Sequence, residues 1–176
     1  NEWARNYRDP RFVLALVRKM EVREARAAQA KAAGASPLTV VTKGAAIEAT
    51  ALFAATFPDR LADGIGADLV KRADALFERM TVVPEATVAR TFGLRDAGVT
   101  SMHDATEGGV FGGLTEVASA SGTGMRIERA AIPVLEEVRA VCQHTGMDPY
   151  TSISEGTLIA TVVPARAEAF VDALAD

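Results

Sequence analysis

The chain has 176 residues, 49% hydrophobic and 24% charged, with a net charge of -4 and one cysteine. That length allows one sizeable core, or one domain with an appendage. One cysteine excludes an internal disulfide framework. No run approaches the ~18 apolar residues of a membrane span.

The charge is uneven: residues 1–33 hold eight of the nineteen Lys and Arg against four acidic residues, which leaves the remainder acidic. This reads as a solvated helical face, and no interleaved aromatics point to nucleic acid. The expectations are a cytoplasmic protein with neither a nucleic-acid nor a membrane partner. The sequence has no initiator Met and stops at Ala173–Asp176 without a cap or turn signal, so a piece of a longer chain is expected.

In chain order, Asp9-Pro10 reads as a helix start, with the Ala-rich segment running to Ala33 and stopping at Gly34. Leu38–Thr42 is a β-branched strand between Pro37 and Gly44. Ile47, Ala51, Leu52 and Ala55 mark an amphipathic helix ending before Pro58, and Asp68–Met80 a second one. Pro84 opens a short helix through Val88 to Leu94. Val99–Met102 is a strand, followed by a helix bearing Val110, Leu114 and Val117. Met125–Glu128 alternates like a short strand, and Pro133 opens a helix carrying Val134, Val138, Val141 and Cys142. Thr157–Val163 is the strongest strand of the chain, and Pro164 begins a last helix with Ala167, Phe170, Val171 and Leu174. Mixed strands and helices without a repeat imply an α/β domain, a three-layer α/β/α arrangement with a mixed sheet.

The most informative stretch is Asp104-Ala105-Thr106-Glu107-Gly108-Gly109, followed by Gly112-Gly113. Each glycine in a helix interior costs ~1 kcal/mol relative to Ala, so four of them imply a backbone that must stay unobstructed. Open amides at a helix N-terminus suit a phosphate or carboxylate. Asp104 and Thr106 are candidates to cap that helix.

Those residues resemble the D-x-T-x-G-G motif of the aminoimidazole ribonucleotide synthase-related superfamily. Three further landmarks follow in the expected order. Thr42-Lys43-Gly44 through Ala51 is similar to the first strand and glycine turn of the superfamily's C-terminal domain. Ala131-Ile132-Pro133-Val134 with Gly146-Met147-Asp148-Pro149 is similar to its connecting helix and exit. Ser154-Glu155-Gly156-Thr157-Leu158 resembles its S-E-G-x-L turn. Together they cover residues 38–175, and the branch most resembled is the hydrogenase-maturation carbamoyl dehydratase. In that branch a basic residue usually stands where this chain has Glu107, and a C-terminal tail ends in a cysteine that this sequence does not contain.

The resemblance implies that residues 38–176 form the C-terminal, substrate-side domain; residues 1–37 match none of these landmarks and read as a helical segment or linker. It implies an N-terminal ATP-binding domain, absent from this sequence, that supplies most ligands for ATP and Mg2+. It also implies a homodimer, a small-molecule or carrier-protein substrate, and hydrogenase-maturation partners. The full-length protein would then be an ATP-dependent enzyme, inactive as this fragment alone. Aminoimidazole ribonucleotide synthase, selenophosphate synthetase and thiamine monophosphate kinase types stay open, as does a non-catalytic ligand-binding or scaffold module.

Among single residues, Asp104 and Glu155 are candidates to move a proton, and His103 is a third because its unperturbed pKa is near neutrality. Thr106, Gly108, Gly109, Lys43, Gly44 and Ser154 are candidates for phosphate or substrate binding, with Lys43 neutralising charge. Gly112 and Gly113 read as packing residues. His144 reads as a partner of a helix C-terminus and Cys142 as buried and inert. Two histidines and one cysteine, widely spaced, do not form a zinc site, so no metal ligand is assigned to this chain.

Overall fold

A computed structural model of the chain describes residues 13–18 and 37–175. Its elements run β1 (Val13–Arg18), β2 (Leu38–Thr42), α1 (Ile47–Thr56), α2 (Pro58–Ile65), α3 (Ala67–Asp74), α4 (Val83–Phe92), β3 (Val99–Asp104), α5 (Gly109–Ala120), α6 (Glu136–Thr145), β4 (Leu158–Val162) and α7 (Ala167–Ala175). The strands pair in the order β1-β2-β4-β3, and every pairing is antiparallel.

β4 sits inside the sheet because both of its faces are apolar and all five of its residues are buried. On one face Val40, Leu158, Ala160 and Val162 pack with Ala89 of α4 and with Ala167, Phe170 and Leu174 of α7. On the other, Val41 and Ile159 pack with Val110, Leu114 and Val117 of α5. Helices therefore cover both faces, giving the expected α/β class in three layers. Each fully buried Val, Leu, Ile or Phe contributes ~1.5–3 kcal/mol by leaving water. Phe170 meets Phe92 with ring centroids 5.2 Å apart and tilted by 53°, a favourable aromatic geometry. A further cluster joins α1 to α6 through Ile47, Ala51, Val138 and Cys142.

Several elements differ from the sequence reading. The helix expected from Pro10 to Ala33 is a strand over Val13–Arg18, paired from Arg18↔Leu38 to Val13↔Thr42. Val13, Leu14, Leu16 and Val17 give that stretch β character, and β2 offers an edge whose amides and carbonyls need partners. The rest of that predicted helix lies outside the described residues. Met125–Glu128 alternates without becoming a strand; Met125 and Ile127 instead pack against the α5 side of the core. Pro58 does not merely end α1, since it stands at the start of α2, where its missing N–H costs nothing. The helix expected at Pro133 begins at Glu136, because the Pro133 carbonyl accepts the Ala45 N–H at 2.9 Å and Leu135, just before the helix, is extended (φ -60°, ψ 156°). The expected mixed sheet has only antiparallel pairs among the described strands.

Candidate functional site

The turn after β2 is strained. Lys43 (φ 59°), Gly44 (φ 113°) and Ala46 (φ 53°) all have positive φ, and two of them carry the Cβ that disfavours it. Close packing maintains the turn. The Gly44 N–H donates to the Thr42 carbonyl at 2.6 Å, and a Cβ on Gly44 would lie 2.8 Å from the Pro133 carbonyl oxygen.

The same conformation directs the Lys43 side chain inward. Its Nζ donates to the Thr81 carbonyl at 2.6 Å and pairs with Glu85 Oε1 at 2.5 Å, both residues being buried. Burial pushes the ammonium below its ordinary 10.5, while Glu85 and, less strongly, Asp104 hold it up. The ammonium is thus committed inside the fold rather than offered to a phosphate.

The 153–157 turn closes over this point. Asp104, at the end of β3, accepts the Gly156 N–H on Oδ1 at 2.9 Å. Glu48, in the first turn of α1, accepts the Glu155 N–H on Oε2 at 2.9 Å, and the Ala49 N–H donates to the Ile153 carbonyl at 3.1 Å. The Thr157 hydroxyl donates to the Gly44 carbonyl at 2.7 Å. Its one proton is thereby used, so the Ser154 hydroxyl, 2.9 Å away, donates to Thr157. Ser154 is fully buried, so its hydroxyl ties the turn together from within. Gly156 has φ 92°, and a Cβ there would meet the Arg79 carbonyl oxygen at 2.5 Å.

Asp104 is half-buried, and burial pushes its carboxyl above its ordinary 3.8. The Gly156 N–H opposes that shift, the neighbouring Glu155 adds to it, and Lys43 and His103 oppose it weakly. Glu155 itself is exposed. A carboxyl that holds its proton more tightly, beside a solvent-facing carboxylate, is a pair suited to moving a proton on a bound substrate.

The glycine turn is organised differently. Gly108 (φ 77°) is the N-cap of α5 and no side chain caps the helix, because the Asp104 expected to do so is turned to Gly156. The Gly109 N–H donates to the Thr106 carbonyl at 3.0 Å and the Phe111 N–H to the Tyr150 carbonyl at 3.0 Å. A Cβ on Gly109 would lie 2.4 Å from the Ser152 carbonyl oxygen, so this glycine serves close packing of two backbones. Glu107 folds its carboxylate onto its own N–H and the Thr106 hydroxyl, which hold it below the usual carboxylate range. Gly113 does pack as expected, a Cβ there falling 2.7 Å from Ile159 Cδ1.

His103 alternates to the α5 side of β3, where its Nε2 lies 2.5 Å from Glu116 Oε2. The structure therefore brings Lys43, Gly44, Asp104, Ser154 and Glu155 to one place, with Thr106, Gly108 and Gly109 in the adjoining turn. The sequence reading missed the brace formed by Glu48 and Thr157; the only local signals were their positions beside the two glycine turns. The His144 ring lies against Gly64, where a Cβ would be 2.1 Å from its Cε1. Cys142 is buried, and burial pushes its thiol up to about 11, away from reactivity. Among the described residues, no group of three His, Cys, Asp or Glu could hold a metal, and no helix is long and apolar enough to cross a membrane. A cleft of about 430 Å³ lies along α1, α2 and α3 and one of about 240 Å³ between α1, α2 and the end of α6, and neither is lined by a residue of these turns.

Fold and turns together define a three-layer α/β domain whose polar centre joins three loops. The chain belongs to the family described as AIR synthase related protein, C-terminal domain, whose model matches residues 38–176. It is similar to the carbamoyl dehydratase HypE of Rhizobium leguminosarum bv. viciae, at 44% identity over 73 residues, 42% of this chain and 21% of that protein. It is also similar to the carbamoyl dehydratase HypE of Bradyrhizobium diazoefficiens, at 36% identity over 108 residues, 59% of this chain and 31% of that protein. A crystal structure of Escherichia coli HypE aligns at a TM-score of 0.47 and 35% identity over 53% of this chain and 28% of that one. The chain thus spans between about a fifth and a third of the length of these relatives.

Proposed function

We propose that this chain is the substrate-side domain of an ATP-dependent enzyme that activates a small or carrier-borne substrate, in the manner of a carbamoyl dehydratase. The observation that carries the reading is the Asp104–Glu155 pair at the pinned turn, where one carboxyl is shifted toward holding a proton and the next is exposed. Membership of the family and identities of 33–44% to hydrogenase-maturation proteins support it.

ATP with Mg2+ would supply the phosphoryl group that turns a substrate oxygen into a leaving group. The described residues do not fit a triphosphate: the Lys43 ammonium is buried on Glu85, the Gly109 and Phe111 amides are spent on protein carbonyls, and Glu107 adds negative charge. Nucleotide binding is accordingly assigned to protein outside this chain. The part played here is proton handling. Glu155 accepts a proton from the substrate, and Asp104 holds the Gly156 amide and shares the charge of the site. A cytoplasmic homodimer, assembled mainly outside this chain and acting among hydrogenase-maturation partners, completes the proposal.

Phosphate release from ATP by the full-length protein tests it. Asp104→Ala and Glu155→Ala should each lower turnover by ~10²–10⁴-fold while nucleotide still binds. Wild-type turnover in both variants, or no turnover with any carbamoyl, amide or phosphate substrate, would contradict it.

A further inference from the structure

The Glu155–Gly156 turn is held in an uncommon way. Two consecutive main-chain amides each donate to a carboxylate, and the carboxylates come from different elements. Glu155 N–H goes to Glu48 Oε2 on α1, and Gly156 N–H to Asp104 Oδ1 on β3, both at 2.9 Å. Two neighbouring bonds, Ala49 N–H to Ile153 and Thr157 hydroxyl to Gly44, stitch the same two loops at 3.1 and 2.7 Å. The result is a residue with a fixed main chain and an exposed side chain. That combination fixes the point and direction in which the Glu155 side chain leaves the main chain, while its carboxylate stays open to solvent.

We propose that Glu48 is a positioning residue, which orients Glu155 toward the substrate by gripping its main-chain amide from the first turn of α1. Glu48 does more than complement the positive end of a helix, an effect any acid in that turn would supply. Its carboxylate reaches a loop 107 residues further along the chain. Length is therefore required as well as charge. An aspartate at 48 keeps the charge but withdraws the acceptor by one methylene; a glutamine keeps the reach and an acceptor oxygen while losing the charge.

This inference rests on the reading of Glu155 as the proton acceptor, and the experiment separates the two. In the full-length protein, amide hydrogen exchange at Glu155 is followed in Glu48→Ala, Glu48→Asp and Glu48→Gln, together with ATP turnover. Loss of a hydrogen bond to a charged acceptor should speed exchange of the Glu155 amide and lower kcat, each by ~10–100-fold, in the Ala and Asp variants. KM for ATP should stay within about twofold, and Gln should restore both readouts to within about fivefold of wild type, because it keeps the acceptor. Should Glu48→Ala unfold, the Asp and Gln pair still decides the matter. An Asp variant that behaves as wild type would overturn the proposal, since charge without reach would then suffice. Unchanged Glu155 exchange in the Ala variant would overturn it too, as would faster exchange with unaltered turnover. Glu155→Ala serves as the control: full activity there removes the reading of Glu155 and the positioning role with it, while the exchange data still report whether the grip exists.

Discussion

Two of the glycine-containing turns of this domain, at 106–112 and 153–157, are satisfied in opposite ways. At 106–112 the amides meet carbonyls, Thr106 and Gly108 nearby and Tyr150 across the helix start, and Glu107 folds onto its own turn. At 153–157 the amides and hydroxyls meet Glu48, Asp104 and Gly44, groups 52 to 113 residues away in the chain. At the first turn the Gly109, Phe111 and Gly112 amides are engaged by protein carbonyls. The second is a constructed point where three loops are tied and a carboxylate is left facing outward. Glycine content alone therefore does not distinguish the two turns, and the difference lies in which side chains arrive from elsewhere.

Substitutions sharpen that contrast. Gly156→Ala and Gly109→Ala should be the most damaging, since each combines positive φ with a Cβ 2.4–2.5 Å from a carbonyl oxygen. Together strain and overpacking cost ~3–5 kcal/mol, read as a lower urea midpoint. Gly108→Ala meets only the Gly112 Cα at 3.3 Å and should cost about 1–2 kcal/mol, mostly from its left-handed φ. Lys43→Met leaves Glu85 buried without its ammonium and should cost about 3 kcal/mol, much of it recovered in Lys43→Met/Glu85→Leu. Thr157→Val removes the acceptor for Ser154 and the donor for Gly44 and should cost about 2 kcal/mol by chemical denaturation.

The smallest effect is a pH dependence. Asp104 holds its proton more tightly in the folded state than its ordinary 3.8 implies. The folded protein then binds more protons than the unfolded chain between those two values, so this group lowers stability as pH rises through that window. Asp104→Asn, which keeps an acceptor for Gly156, should raise the melting temperature relative to wild type at neutral pH. The gain should vanish at pH 3, below both values. A gain present only at acid pH would reverse the sign and break the account.

Much of the scaffold was legible in the residues. β2, α1, β3, α5 and β4 announce themselves through β-branching, apolar periodicity and bounding Gly or Pro. β1 was not, because Val13–Val17 leads into a helix-favouring Ala- and Arg-rich stretch and gains strand form from pairing with β2. Met125–Glu128 shows the converse, alternation that finds no partner strand among the described residues. At the site, the types and order of Asp104, Ser154 and Glu155 were visible, but their tasks were not. Lys43 turns inward through a positive φ that no propensity anticipates. Glu48 becomes a partner of Glu155 only once α1 and the 153–157 turn are packed together.

The central claim is that the pinned turn, and not the glycine turn, is where this domain handles protons. The most direct measurement is a carboxyl carbon NMR titration of the full-length protein that follows Asp104 and Glu107 together. The account predicts that Asp104 titrates above 3.8 and Glu107 below 4.5, with the Gly156 amide shifting in step with Asp104. Asp104 titrating at or below 3.8, with Gly156 unresponsive, would contradict it.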